Sequence, residues 1–278
     1  MSSSPLVAVI QFPGSNCEYE TAGVLDSSGL DGRIFRWNQL EEIREACPSA
    51  FVLPGGFSFQ DRVRAGAVAA KERLMDIVFD AASEGKPVLG ICNGAQVLVE
   101  SGLVPGWETG RIDAALAANH VAGRSGYLSR WVFLRPRRDA VVKCPWLTRL
   151  DDMPVPVPIA HAEGRFVFRE EDMDRTGGIE AVAYCDEEGT EREDYPCNPN
   201  GSFHNLAGVM NQRGNVLAMM PHPERAFRMW QLPPWIPGEW GERRAAAVSS
   251  GTLGETMGPG ALFFLGLADH LEAGECHE

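Results

Sequence analysis

The sequence predicts an α/β fold with helices packed on a parallel sheet, and three observations carry that prediction. Short, nearly continuous apolar runs at 6–10, 50–53 and 88–91 each empty into a turn or junction containing glycine. Runs of that length without polar alternation suit strands buried on both faces. Between the second and third runs, Met75, Val78, Phe79 and Ala82 recur at i, i+3, i+4 and i+7, which is one apolar face of a helix. The first hundred residues therefore read strand–helix–strand–helix, with the connecting helix spanning 66–84 and closed by Gly85 and Pro87.

Further along, the segments 131–134, 166–168, 179–184 and 216–220 have the composition of shorter strands, with turns at Thr176-Gly177-Gly178 and Arg213-Gly214-Asn215. The stretch 228–258 is rich in Trp, Pro and Gly and fits no period. A helical pattern resumes over 260–271. There is no internal repeat, and no polar linker long enough to separate independent domains.

Composition narrows the function. The 278 residues hold 25 Lys+Arg against 38 Asp+Glu, a net charge of −13. Such a chain repels phosphate backbones and anionic membranes unless it carries a local basic patch. The densest basic stretch, with Arg130, Arg135, Arg137, Arg138 and Lys143, is interleaved with apolar residues, so neither nucleic acid nor membrane is expected as a partner. The 7 cysteines (17, 47, 92, 144, 185, 197, 276) are odd in number and widely spaced, with no Cys-x-x-Cys pair. That spacing argues against a disulfide framework and a structural zinc site. The N-terminal residues lack a basic region followed by an apolar core, and no apolar run approaches the roughly 20 residues of a membrane span. A reduced, soluble, cytoplasmic protein is the expectation.

The stretch Val88-Leu89-Gly90-Ile91-Cys92-Asn93-Gly94-Ala95-Gln96 is the most informative. A buried strand runs into Gly-x-Cys-x-Gly and then into a helix, the sulfur counterpart of the Gly-x-Ser-x-Gly nucleophile elbow. Small residues on both sides let the backbone turn sharply and leave room for a substrate. Cys92 would stand at the positive end of the following helix, where thiolate is favoured over thiol. Gln96, one turn on, would share its side. A lone buried cysteine is ordinarily a small hydrophobe; the double glycine bracket is what marks this one as a nucleophile.

A cysteine nucleophile needs a base and a group to orient it. After the run 216–220 comes Pro221-His222-Pro223-Glu224. Pro223 biases His222 toward an extended conformation, and in extended chain i and i+2 face one side, so Glu224 can hydrogen-bond His222 and hold its tautomer. His161 also has a glutamate two residues on, Glu163. His120, His204, His270 and His277 have no such neighbours and read as structural or solvated. No two histidines have metal-ligand spacing, and no metal is expected.

The segment Leu53-Pro54-Gly55-Gly56-Phe57-Ser58 leaves backbone amides uncovered at a strand end. Gly56 or Phe57 could supply one oxyanion donor and the amide of Asn93 the second. Neither phosphate-loop signature, Gly-x-x-x-x-Gly-Lys-Ser/Thr nor Gly-x-Gly-x-x-Gly, is present, so no site for ATP or a dinucleotide is expected in this chain.

These stretches in this order resemble the class I glutamine amidotransferases, whose triad is Cys…His-x-Glu. The likeness is closer to the glutaminase subunits of phosphoribosylformylglycinamidine synthase. It extends over residues 9–18, over Pro54-Gly55-Gly56-Phe57-Ser58 with Asp61 and Arg64-Ala65-Gly66, and over Gly90-Ile91-Cys92-Asn93-Gly94-Ala95-Gln96. It continues through His161-Ala162-Glu163-Gly164-Arg165-Phe166, Asn198-Pro199-Asn200-Gly201-Ser202 and Met219-Met220-Pro221-His222-Pro223-Glu224-Arg225.

The resemblance implies an open, mostly parallel, flavodoxin-like sheet with helices on both faces, and one amidotransferase domain over 1–278 with an insertion at about 228–258. It implies Cys92 as nucleophile, His222 as acid and base, and Glu224 as its orienting group. Gly56 and Asn93 would form the oxyanion hole, and Gln96, with Phe57, would contact glutamine. Ammonia would pass to a large synthetase subunit that uses ATP and Mg to amidate formylglycinamide ribonucleotide in purine synthesis, with a small bridging subunit as a further partner. The chain opens without a synthetase region, as the free-standing subunits do. It departs from the family pattern at Gln60-Asp61, where Gly-Asp is usual. A cysteine hydrolase or peptidase could share the elbow without needing Gln96, the 161–166 motif or the 198–202 motif. A non-catalytic regulatory subunit would not need Cys92, His222 and Glu224 together.

Overall fold

The three short apolar runs become three adjacent interior strands of one sheet. In the computed structural model, which describes residues 4–108 and 110–275, the first half runs β1 (Leu6–Gln11), α1 (Glu18–Asp26), β2 (Asp31–Arg36), α2 (Leu40–Ala46), β3 (Ala50–Leu53), α3 (Leu74–Glu84), β4 (Val88–Ile91) and α4 (Asn93–Ser101). The second half runs β5 (Ala114–Ala118), β6 (His120–Val121), β7 (Arg124–Ser125), β8 (Leu128–Pro136), α5 (Arg138–Lys143), β9 (Val155–His161), β10 (Glu163–Phe168), β11 (Glu180–Cys185), β12 (Leu206–Met210), β13 (Val216–Met219), α6 (Gly238–Ser249) and α7 (Ala261–Glu275). Cys276 and His277 lie outside the described residues.

Nine strands form the main sheet in the order β2-β1-β3-β4-β13-β12-β11-β8-β9. The first five are mutually parallel, in the flavodoxin order with β13 as the fifth strand. From β13 onward every pairing is antiparallel, so most of the shorter strands of the second half extend the parallel core. β5 and β10 pair separately, as do β6 and β7.

Three strands of the main sheet escape the sequence reading: β2 and β9, which lie at its edges, and the buried interior strand β12. β2 reads DGRIFR and buries only Phe35; an edge strand covered on one side needs no continuous apolar run. β9 contains Pro156 and Pro158, which lack the N–H that a central strand needs and are tolerated at an edge. The expected helix over 66–84 starts later, at Leu74, preceded by a 3-10 turn at Ala69–Lys71. Gly66 has φ +78°, and a Cβ there would lie 2.7 Å from the α4 backbone at Gln96. The chain is pressed against α4 before it can begin to wind. Gly85, at φ +93°, closes the helix as expected.

The aperiodic stretch 228–258 contains a helix, α6, which buries little beyond Trp240 and Ala247. So narrow an apolar stripe leaves no clear period. α6 and α7 flank an open groove lined by Trp240, Met257 and Leu262 among others. It lies away from Cys92. Among the described residues no helix is long and apolar enough to cross a membrane.

Candidate active site

Cys92 sits between β4 and α4 with φ +51° and ψ −105°. A non-glycine residue there is strained, and such strain is held in place by its surroundings. The flanking glycines act by proximity: a Cβ on Gly90 would lie 2.6 Å from the Gly94 carbonyl, and one on Gly94 would overlap the Leu53 carbonyl of β3. Neither glycine has a positive φ, so the backbone strain falls on Cys92 itself. The Cys92 amide donates to Met219 O at 2.8 Å, and the thiol donates to Ala160 O at 3.5 Å. Because the atom opposing Gly94 is backbone in a central strand, Gly94→Ala is expected to cost about 3 kcal/mol or more. Equilibrium unfolding in urea checks this.

His222 leaves the end of β13, and its amide donates to Pro158 O of β9 at 2.9 Å. Nδ1 lies 2.5 Å from Glu224 Oε1, both side chains being buried. The expected pairing is made across the 3-10 turn Pro223–Ala226, because Pro223 starts a turn instead of continuing an extended chain. Burial works against a charge on His222. The Glu224 carboxylate, and after it the Cys92 sulfur, outweigh burial and hold the imidazole well above its ordinary value. Nε2 has no hydrogen-bond partner among the described residues, which leaves it free for a reacting group.

A second cysteine, singled out by the sequence only within the 9–18 resemblance, completes this corner. Cys17, His222 and Glu224 bring their ligand-capable atoms within 4.8 Å of one another. Arg225 Nη2 lies 3.1 Å from Cys17 Sγ, so a cation already stands beside that thiol, and Glu224 is committed to His222. Burial pushes the Cys17 thiol up to about 11. A glutamine-like electrophile is therefore expected to alkylate Cys92 and leave Cys17 unmodified, since the thiolate is the reactive form. Peptide mass spectrometry after labelling reads this directly.

Cys92 opens into a small cavity lined also by Gly56, Phe57, Asp61, Gln96, Tyr127, His161 and Glu163. Phe57 is 46% exposed and stands at the mouth. Its amide donates to Gly14 O at 2.8 Å, which removes it as an oxyanion donor and leaves Gly56 beside Asn93. Asn93 Oδ1 accepts from the Ser58 amide at 3.0 Å, and its Nδ2 donates to Gln96 Oε1 at 3.0 Å. Gln96 Nε2 in turn donates to Glu163 O at 2.7 Å. Both ends of the Gln96 amide thus brace the cavity wall. Phe59, Gln60, Asp61 and Val63 all have positive φ, Gln60 at +61°. This explains why glycine suits the Gln60 position in the family pattern.

The motifs at 161–166 and 198–202 form one scaffold. Asn200 Nδ2 donates to Gly164 O at 2.7 Å, and the Phe166 amide donates to Ser202 Oγ at 3.1 Å. They place His161 on the cavity wall, where burial, followed by the nearby His222, pushes its imidazole down to about 3. His120, His204 and His270 are exposed and away from the cavity. Of the late tryptophans, Trp240 is buried while Trp230 and Trp235 are exposed.

Residues 4–250 match the CobB/CobQ-like glutamine amidotransferase domain family. A curated relative, phosphoribosylformylglycinamidine synthase subunit PurQ of Methanothrix thermoacetophila, is 47% identical over 247 residues, covering 84% of this chain and 92% of that protein. The same subunit of Saccharolobus solfataricus is 40% identical over 235 residues, covering 84% and 95%. Among solved structures, a chain of PurLQS from Thermotoga maritima aligns with a TM-score of 0.64 at 30% identity, covering 89% of this chain and 98% of that one.

Proposed function

The chain belongs to the CobB/CobQ-like glutamine amidotransferase family, among the PurQ-type subunits of phosphoribosylformylglycinamidine synthase, and from that membership we propose that it releases ammonia from glutamine through Cys92, His222 and Glu224. The observation that carries this reading is the 2.5 Å contact between His222 Nδ1 and Glu224 Oε1 beside a cysteine at a strained strand–helix elbow.

With its proton passed to His222 Nε2, the Cys92 thiolate attacks the side-chain carbonyl carbon of glutamine, and the C=O electron pair moves to oxygen. The amides of Gly56 and Asn93 receive that oxyanion. The His222 imidazolium then protonates the amide nitrogen through Nε2, the C–N bond breaks, and ammonia leaves a glutamyl thioester on Cys92. Neutral His222 next takes a proton from water, hydroxide adds to the thioester carbon, and collapse expels the sulfur with glutamate as product. Glu224 holds the Nδ1–H tautomer throughout and stabilises the imidazolium whenever Nε2 also carries a proton. The compact pocket around Cys92, walled by Gln96, His161 and Glu163, supports a single amino acid as substrate over an extended peptide.

This chain lacks a phosphate-loop motif, so ATP and Mg²⁺ are assigned to a large synthetase subunit, with a small subunit bridging the two. The name of the Thermotoga maritima assembly supports that partnership. Ammonia passes to formylglycinamide ribonucleotide there, giving formylglycinamidine ribonucleotide for purine synthesis. In this reading residues 1–278 form one amidotransferase domain, 228–258 being an insertion.

The test is isotopic. Glutamine labelled with ¹⁵N in the side-chain amide, given to the reconstituted complex with ATP, is expected to place ¹⁵N in the amidine product ahead of the ammonia pool. Label that appears first in the medium would sink the proposal. Glutaminase activity of the isolated chain is expected to be low and to rise strongly with synthetase, nucleotide and ribonucleotide present. Equal rates with and without the partner would refute that coupling.

A further inference from the structure

His161 is not accounted for by the triad, yet the fold spends several buried polar groups on holding it. Asn119, itself buried, donates from Nδ2 to His161 O at 2.8 Å and to Gly126 O at 2.9 Å. With both N–H bonds used, Asn119 Oδ1 must accept, and it does so from the Gly164 amide at 3.1 Å. The same oxygen lies 3.2 Å from His161 Nδ1. Nδ1 is therefore the protonated nitrogen, and Nε2 carries a bare lone pair. The ring lies over Gly164, where any Cβ would overlap it, so it is fixed in orientation as well as in tautomer.

Nε2 is buried and has no hydrogen-bond partner among the described residues. The residue is 3% exposed and lines the cavity that holds Cys92. A buried acceptor left unsatisfied is costly, and the usual explanation is a bound ligand or water. Glutamine's reacting group brings what is missing: a carboxamide nitrogen has two N–H bonds, and ammonia has three.

We propose that His161 Nε2 accepts an N–H of the substrate carboxamide and then of the departing ammonia. The inference rests on the glutaminase reading above and specifies which residue recognises the leaving group. An uncharged acceptor has a chemical advantage here. A carboxylate in the same place would favour ammonium, which has no lone pair for the next reaction. A neutral imidazole binds NH₃ and leaves it nucleophilic. His222 supplies the proton that ammonia needs to leave, and His161 supplies none.

The test compares glutamine with glutamate γ-methyl ester, whose leaving oxygen has no N–H to donate, in the assembled complex. His161→Phe is expected to lower kcat/KM for glutamine by about tenfold to a hundredfold. Hydrolysis of the ester should stay within about threefold of the wild-type value, since that substrate never used the bond. An equal loss on both substrates would overturn the proposal, because a structural role, or a contact with the shared α-ammonium group, acts on both alike. So would no loss on either, the result expected if a buried water bridges Nε2 to the Tyr184 hydroxyl, which is also buried without a partner. A second measurement needs no substitution at 161. In Cys92→Ala protein labelled with ¹⁵N-histidine, Nε2 of His161 should resonate as an unprotonated nitrogen and shift when glutamine is added. A protonated or unresponsive Nε2 would equally overturn it. If wild-type complex hydrolyses neither substrate, the glutaminase reading itself has failed, which is a different result.

Discussion

Cys92→Ala is expected to lower glutamine-dependent amidation by about four orders of magnitude or more, to background, because no other group can form the thioester. The fold should survive. Alanine keeps the Cβ in the same strained torsion, and only the contact between the thiol and Ala160 O at 3.5 Å is lost. Ammonia supplied directly at high concentration should restore amidation by the complex, since the synthetase chemistry is untouched. Cys17→Ser is the matched control. That side chain lies against His222 and Glu224 but is held as a neutral thiol, so thioester formation should persist. Full activity in Cys92→Ala, or loss of ammonia-dependent activity along with glutamine-dependent activity, would remove Cys92 from the nucleophile's role.

His222→Ala should be nearly as damaging, because members of a catalytic unit fail together. Glu224→Gln should be milder, about two orders of magnitude, since the amide oxygen still accepts from Nδ1–H but no longer stabilises the imidazolium. The sign of its pH effect follows from the causes acting on His222. Burial opposes the charged ring, and the Glu224 carboxylate is the main influence raising it. With that charge removed, burial gains, the imidazole falls toward more acidic values, and the alkaline limb of kcat/KM, where the imidazolium that protonates ammonia is lost, moves to lower pH. The variant's pH–rate profile checks this, with added ammonia again expected to bypass both lesions. A Glu224→Gln enzyme worse than His222→Ala would mean that the roles are misassigned.

The candidate reacting residues were legible because local chemistry writes them locally. A thiol at a strand–helix turn needs small neighbours on both sides, and Gly90 and Gly94 stand in the sequence beside Cys92. The orienting acid of His222 is two residues away, so the pair could be read without knowing the fold. The parallel core was legible for a similar reason: strands buried on both faces cannot alternate with polar residues, and the runs at β1, β3 and β4 do not. β2 and β9 were not, because an edge strand meets weaker demands on hydrophobicity and on N–H groups. α6 was not, because it covers too little core to impose a period.

What surrounds the reacting residues was decided only by tertiary packing. β9 is four strands from β13 in the sheet order. Even so, Pro158 accepts from the His222 amide and Ala160 accepts from the Cys92 thiol, so the antiparallel half of the sheet comes back onto the site. That return carries His161 into the cavity and fixes its tautomer through Asn119, 42 residues away. In the same way Cys17 and Arg225, 208 residues apart, meet behind the base. The Phe57 amide could not have been ruled out as an oxyanion donor before Gly14 was seen to accept from it. The sequence by itself determined which side chains are the candidates for the reaction, since their requirements are met by immediate neighbours. Their protonation states, the donors left free and the groups facing the substrate depend on burial and long-range hydrogen bonds, which exist only once distant segments have packed together.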